Sequence, residues 1–330
     1  MRFQDPLGIR STALASEMEL GHLPVLAEEV VEMLAPAPGS LQIDATVGGG
    51  GHTERILEAT DPDGRLLGLD ADGAAIARVG RRLARFGDRL VLRQANFREL
   101  GDVAPPAGFG RVDGLLFDLG LSSFQLADGE RGFGFRTGGP LDMRFDPSRV
   151  VLAAELIATL DAGELAALFR RYGEDPNAGR IARAIVDARR TEPIATAEAL
   201  AALIERVVPH NPRQPRRIHP ATRVFQALRI AVNAELDSLE IALAAAMDLL
   251  RPGGRLVVLS YHSLEDRIVK RFIAAERKGC QCPPDLPVCV CGRNPRLRPI
   301  GRSLTPRPEE VALNPRSRSA RLRAAERIAA

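Results

Sequence analysis

Residues 41–53 read LQIDATVGGGGHT: a short apolar run, four consecutive glycines, then the start of a helical pattern, HTERILEAT (52–60). A buried strand that turns tightly into a helix is the opening unit of a parallel α/β sheet. Glycines let a ligand approach the main chain, and the first amides of a helix favour negative groups. The dinucleotide fingerprint G-x-G-x-x-G does not fit, because counting from Gly48 puts Thr53 where its third glycine belongs. A plain strand–helix turn would use the same residues.

The rhythm extends on both sides. VLAEEVVEMLA (25–35) has helical apolar spacing and stops at Pro36. RLLGLDAD (65–72) predicts a second strand, AAIARVGRRLARF (74–86) an amphipathic helix and RLVLRQANF (89–97) a third strand. VDGLLFDLG (112–120) predicts a fourth, with the near-continuous apolar run of a strand buried on both faces. Such alternation predicts parallel strands joined by right-handed crossovers. From about 126 to 230 no central strand is evident, and helical patterns occupy 150–159, 161–172, 176–190 and 196–207. One or two long helices over 224–250 end at RPGG (251–254). RLVVLSYHS (255–263) then predicts a strand and LEDRIVKRFIAAE (264–276) a helix. The expected organisation is an extension (1–21), the first part of an α/β domain (22–126), a helical insertion (127–230), and the domain's second part with an arginine-rich tail (231–330).

Composition narrows the function classes. The 330 residues carry 45 basic against 42 acidic groups, a net +3. The distribution is uneven. Arg293 to Arg327 holds ten arginines against Glu309, Glu310 and Glu326, a charge of +7, which leaves −4 for the rest. Arg213, Arg216, Arg217, Arg223 and Arg229 form a second cluster with no intervening acid. Basic stripes on a balanced protein suit a polyanion partner, although a coding preference for arginine would also produce them. No apolar run of about 18 residues is present to span a membrane, and the first 22 residues lack a signal core. The expected location is the cytoplasm.

Further candidates fall at strand ends, where open α/β sheets bind ligands. Asp70 closes the second strand, 19 residues beyond Gly51, and an acid there can accept both ribose hydroxyls of an adenosine-containing cofactor. Asn96 and Phe97 end the third strand and could hold an adenine ring; a core phenylalanine is the alternative. Asp118, in FDLGLSS (117–123), ends the fourth and can accept a hydrogen bond from an exocyclic amine, unless it caps a turn. Together they describe a nucleoside-cofactor site with a polar chemical end.

At this point the residues match a family. HLPVL (22–26), DATVGGGGHT (44–53), GLDAD (68–72), DGLLFDLGLSSFQL (113–126), ERGFGFRTGGPLDMR (130–144), FQALRIAVNAEL (225–236), RPGGRLVVLSYHSLEDRIVK (251–270) and NPRSRSARLRAAER (314–327) occur in order. Together they resemble the bacterial 16S rRNA (cytosine N4)-methyltransferases, the RsmH or MraW family. GGPLDMR (138–144) and SYHSLEDR (260–267) are far more specific than a glycine loop.

The resemblance implies a Rossmann-like S-adenosylmethionine-dependent methyltransferase sheet with an inserted all-helical domain for substrate recognition. It also implies methylation of a decoding-region cytidine on its exocyclic amine, probed on 16S rRNA or the small ribosomal subunit. By position, Gly50, Gly51 and His52 match the cofactor loop and Asp70 the ribose-binding acid. Phe97, Asp118 and Gln125 match the remaining cofactor contacts, with Asp118 also the expected catalytic group. Phe133, Phe135, Arg136, Arg144, Tyr261 and His262 are the expected RNA-side residues, since aromatic platforms and arginines serve single-stranded RNA. Two departures are visible: Val47-Gly48-Gly49 where the family often carries an aromatic or other side chain, and Phe124 in place of a frequent proline.

A DNA amino-methyltransferase would share the cofactor site, but its Asp- or Asn-Pro-Pro-aromatic signature is absent after the fourth strand. No DNA partner is expected. A nucleotide-dependent oxidoreductase would need the third glycine and a hydride-accepting site. A non-catalytic ribosome-binding factor would not need candidate contacts at four strand ends. No metal ligand is among the expected site residues. Cys280, Cys282, Cys289 and Cys291 form C-x-C, six residues, C-x-C, and two readings stay open: a zinc held by thiolates, or thiols. The oligomeric state is not legible.

Overall fold

The structure is a computed structural model that describes residues 23–135, 138–208, 218–280, 282–283, 287–288 and 290–329. The expected N-terminal extension, Arg136, Cys289 and the arginines at 213, 216 and 217 lie outside the described residues. The chain divides into two compact units, one formed by the residues up to Gly120 together with Leu239 onward, the other by Leu121–Ser238. The inserted unit is therefore longer at each end than the 127–230 expected.

In chain order the first unit begins with α1 (Ala27–Leu34), β1 (Leu41–Asp44), α2 (Gly51–Ala59), β2 (Arg65–Asp70) and α3 (Gly73–Arg82). It continues with β3 (Leu90–Gln94), α4 (Leu100–Val103) and β4 (Val112–Asp118). The inserted unit carries α5 (Ser123–Ala127), α6 (Ala153–Thr159), α7 (Ala162–Gly173), α8 (Ala178–Ala188), α9 (Ala197–Val207) and α10 (Thr222–Asn233). α11 (Glu235–Leu249) leads back to β5 (Leu250–Ser260), α12 (Ser263–Lys278), β6 (Leu297–Pro299), α13 (Pro308–Leu313) and β7 (Arg321–Arg327).

The seven strands form one sheet in the order β3-β2-β1-β4-β5-β7-β6. β1 to β5 run parallel, as the strand–helix alternation predicts. Alternate residues of each central strand serve opposite faces, because side chains alternate along a strand. Leu115, Phe117, Leu256 and Val258 join a core with Leu243 and Met247 of α11 and Val269 and Ile273 of α12. Their neighbours Leu116, Val257 and Leu259 join a second core with Val30 and Leu34 of α1 and Ile56 and Leu57 of α2. Such two-sided burial is what the apolar run of β4 foretells.

Two expectations are corrected. The sheet is mixed, since β7 pairs antiparallel with both β5 and β6. The last seven residues of the arginine-rich tail, Arg321–Arg327, are thus a strand inside the sheet. Leu322 and Ala324 of β7 enter the core beneath α1, and Ala325 enters the opposite one. Arg323 is bound to Asp266 of α12 at 2.7 and 3.1 Å, so part of the tail's charge is neutralised within the fold. Second, β5 begins at Leu250. Its register with β4 shifts between Val112 and Gly114, and this irregularity absorbs the RPGG expected to precede the strand.

The inserted unit is helical among the described residues, apart from an isolated bridge between Pro140 and Thr196. Its core takes residues four apart from successive helices: Leu165 and Phe169, Ile181 and Ile185, Leu200 and Ile204, Val224 and Leu228. Helix starts are set locally. Asp161 and Glu164 form a reciprocal capping box at α7, and Thr196 accepts from the Ala199 amide at α9.

Candidate active site at the carboxyl ends of the strands

The site is built from the ends of β1, β2 and β4. β1 ends at Asp44, whose buried carboxylate accepts from the Thr46 amide at 3.1 Å and the Thr53 hydroxyl at 2.7 Å. These bonds tie strand, turn and helix start together. Gly50 adopts φ 82°, and a Cβ there would lie 3.0 Å from Val79 of α3, so the position suits only glycine. Arg82 donates to the Gly49 carbonyl at 2.6 Å and Arg78 to that of Gly48 at 3.3 Å, which fixes the direction of the loop's peptide groups. His52, in the first turn of α2, is buried.

Asp70 ends β2 beside this loop. Its two carboxylate oxygens accept from the amides of Gly48 and Asp72, both at 2.8 Å. Each oxygen retains a second acceptor position, as a ribose-binding acid requires. Burial pushes its carboxyl up to about 6, and the neighbouring Asp72 and Asp44 push the same way. Phe97 follows β3, its ring edge-on to Phe117 at 6.0 Å and half-buried against the core. The Asn96 side chain caps the next turn by accepting from the Arg98 amide.

Asp118 ends β4. The Tyr261 hydroxyl donates to its Oδ1 at 2.8 Å, and His52 Nε2 lies 3.7 Å from its Oδ2. The Asp118 amide donates to Thr46 Oγ1 at 2.6 Å. Burial lifts the Asp118 carboxyl to about 7; the Tyr261 hydrogen bond opposes the rise, while the charges of Asp44 and Glu265 add to it. Tyr261 is itself pushed well above its ordinary range by burial and by Asp118, so it stays protonated and remains a donor.

Behind this pair, the buried Glu265 accepts from the amides of Tyr261 and His262 at 2.8 and 3.2 Å. His262 caps α12, and its Nε2 lies 3.1 Å from Glu265 Oε1. Expected as RNA-side residues, Tyr261 and His262 thus have internal partners. Asp44, Thr46 and Glu265 were missed. A carboxylate closing an apolar run, and an acid three residues after His262, were the available signals.

The other expected residues belong to the inserted unit. Gln125 sits in α5, where Ser122 and Gln125 form a capping box; the Ser122 amide donates to the Gln125 side-chain oxygen at 3.0 Å. Phe133 is buried in that unit's core, its ring stacked on Phe145 at 5.6 Å, which is the role of a core residue and not of an exposed platform for a base. Phe135 stacks on His219 at 4.3 Å. Arg144 is bound bidentately to Asp142 and donates to the carbonyls of Pro147 and Arg149, a loop-bracing position.

Asp44, Asp70 and Asp118 each have a carboxyl raised by burial, and Asp44 bears on both of the others. A cationic ligand would favour the ionised forms of these buried acids, and S-adenosylmethionine carries a sulfonium and an ammonium group. Sheet order, glycine turn and strand-end acids define the class: an S-adenosylmethionine-dependent methyltransferase. The chain belongs to the MraW methylase family, whose model matches residues 19–328.

Relatives agree. The chain is 55% identical over 322 residues to the ribosomal RNA small subunit methyltransferase H of Thermomicrobium roseum, covering 96% of this chain and 97% of that protein. It is 52% identical over 308 residues to the protein of the same name from Syntrophotalea carbinolica, covering 93% and 98%. Among solved structures, an S-adenosylmethionine-dependent O-methyltransferase from Thermotoga maritima aligns with a TM-score of 0.43 at 11% identity, over 97% of this chain and 72% of that one. Among the described residues, no helix is long and apolar enough to cross a membrane.

Proposed function

We propose that this enzyme methylates the exocyclic N4 amine of a cytidine in the decoding region of 16S rRNA, on the small ribosomal subunit and in the cytoplasm. The observation that carries this reading is the Asp118 carboxylate, held by the Tyr261 hydroxyl at the end of β4 beside the glycine loop. The names of the relatives point to the same RNA.

S-adenosylmethionine supplies a methyl group already activated on sulfur, so the protein's main work is alignment. Gly50, Gly51, His52 and Asp70 would hold the cofactor, with Asp70 accepting from the ribose hydroxyls. Cytosine's amine is a weak nucleophile because its lone pair is delocalised into the ring. Tyr261 occupies Oδ1 of Asp118. Oδ2 would then accept one amino hydrogen, aim the nitrogen lone pair, and take the proton as the nitrogen–carbon bond forms and the methyl–sulfur bond breaks, its electron pair staying on the sulfur of the departing thioether. A carboxyl raised to about 7 is well matched to accept a proton at neutral pH.

RNA also needs a track for its phosphates. A pocket of about 500 Å³ in the first unit is lined by Lys270, Arg277, Lys278 and Arg302, beside the Asp266-paired Arg323. Such a basic groove suits a polyanion backbone. Incubation with methyl-labelled S-adenosylmethionine and either naked 16S RNA or small subunits from an unmodified source tests the proposal. Nucleoside mapping is expected to find N4-methylcytidine. Label confined to other atoms, or none at all, overturns it.

A further inference from the structure

The cysteines between α12 and β6 take no part in this chemistry. The sulfurs of Cys280, Cys282 and Cys291 all lie within 4.8 Å of one another, and those of Cys280 and Cys291 are 3.9 Å apart. A disulfide needs about 2.05 Å. Four sulfurs about 2.3 Å from a tetrahedral zinc stand about 3.8 Å from each other. The Val290 amide also points at Cys282 Sγ, 3.4 Å away, the kind of N–H contact that supports a metal-bound thiolate.

The loop that carries these thiols is closed at its base. At the neck, Arg296 donates twice to the Glu276 carboxylate, at 2.6 and 2.8 Å, and its amide donates to the Glu276 carbonyl. Gly279 passes so close to the returning chain that a Cβ would lie 2.4 Å from the Asn294 carbonyl carbon. Beyond the neck, Val288 and Val290 are 69% and 79% exposed, so neither of these two apolar side chains packs into a core. A small segment without a core needs a cross-link or a metal to adopt one shape.

We propose that Cys280, Cys282 and Cys291 bind one zinc ion as thiolates, a structural centre that shapes the loop between α12 and β6. The centre is independent of the methyl-transfer site.

The test uses the full chain purified without added metal or chelator. Elemental analysis is expected to find about one zinc per chain. Replacing it with cobalt is expected to produce the intense sulfur-to-cobalt charge-transfer and d–d absorption of a tetrahedral thiolate site. The double variant Cys280→Ser/Cys291→Ser is expected to retain under a tenth of the wild-type zinc. Hydrogen exchange on wild type before and after chelation guards against a variant that fails to fold: faster exchange is expected in 279–295, with the sheet unchanged. The proposal is overturned if wild type holds no zinc after incubation with equimolar zinc chloride and dialysis. Iron in place of zinc, or zinc retained by the double variant, also overturns it.

Discussion

At the scale of single residues, the proposed chemistry depends on how one carboxylate, that of Asp118, is poised. Asp118 is lifted to about 7 by burial, against the pull of the Tyr261 hydroxyl. Its ionised form is the acceptor, so activity should rise with pH and level off above the value Asp118 has in the complex. Single-turnover methylation of small subunits across pH 5.5–8.5 is expected to follow one ionisation near 7. Asp118→Ala is expected to slow that turnover by roughly 10²-fold or more. Near-normal single-turnover rates in this variant would remove Asp118 from the mechanism. Tyr261→Phe removes the hydrogen bond that favours the ionised carboxylate. The acid limb of the profile should therefore move upward, by about one pH unit. An unmoved limb would mean that Tyr261 only packs.

At the scale of elements, β7 is the piece whose role its composition conceals. RLRAAER looks like a solvated basic stretch, yet it pairs over six residues with β5 and also carries β6. Leu322 is 1% exposed, in the core with Val257 and Leu259 of β5. Leu322→Ala should lower stability by about 2–5 kcal/mol, the range for emptying a buried leucine site. Urea unfolding checks this, and a change below about 1 kcal/mol would mean that the strand is peripheral to the fold. The Arg323–Asp266 pair makes the same point electrostatically, since that arginine braces β7 against α12. A tail of +7 therefore overstates what is presented to RNA.

At the scale of the whole molecule, the near-neutral net charge resolves into buried acids at the strand ends and a basic groove elsewhere in the first unit. Replacing Lys270, Arg277 and Arg302 together by Ala should weaken RNA binding and reduce its salt slope by about 2, at roughly 0.7 per phosphate contact. Filter binding across a salt series checks it, and an unchanged slope would place the RNA backbone elsewhere. Much of the fold was readable in the chain. The first strand before the glycine turn, strands ending at Asp70 and Asp118, and the helices of the inserted unit follow from apolar period and turn chemistry, which act over a few residues. Asp70 and Asp118 stand out for that reason, as local punctuation at the ends of apolar runs. What the chain did not disclose depends on contacts between distant residues. Tyr261 reaches Asp118 from 143 positions away, and its role as a proton-holding donor exists only once both are buried together. β7 has too few large apolar side chains to declare itself, and becomes a strand because the edge of β5 offers hydrogen bonds and a place for Leu322. Local chemistry by itself determined the run of parallel strands and the strand ends at Asp70 and Asp118. Only tertiary structure decided how far each strand-end acid is desolvated and which groups hold it, because desolvation is a property of the packed chain and not of any stretch of it.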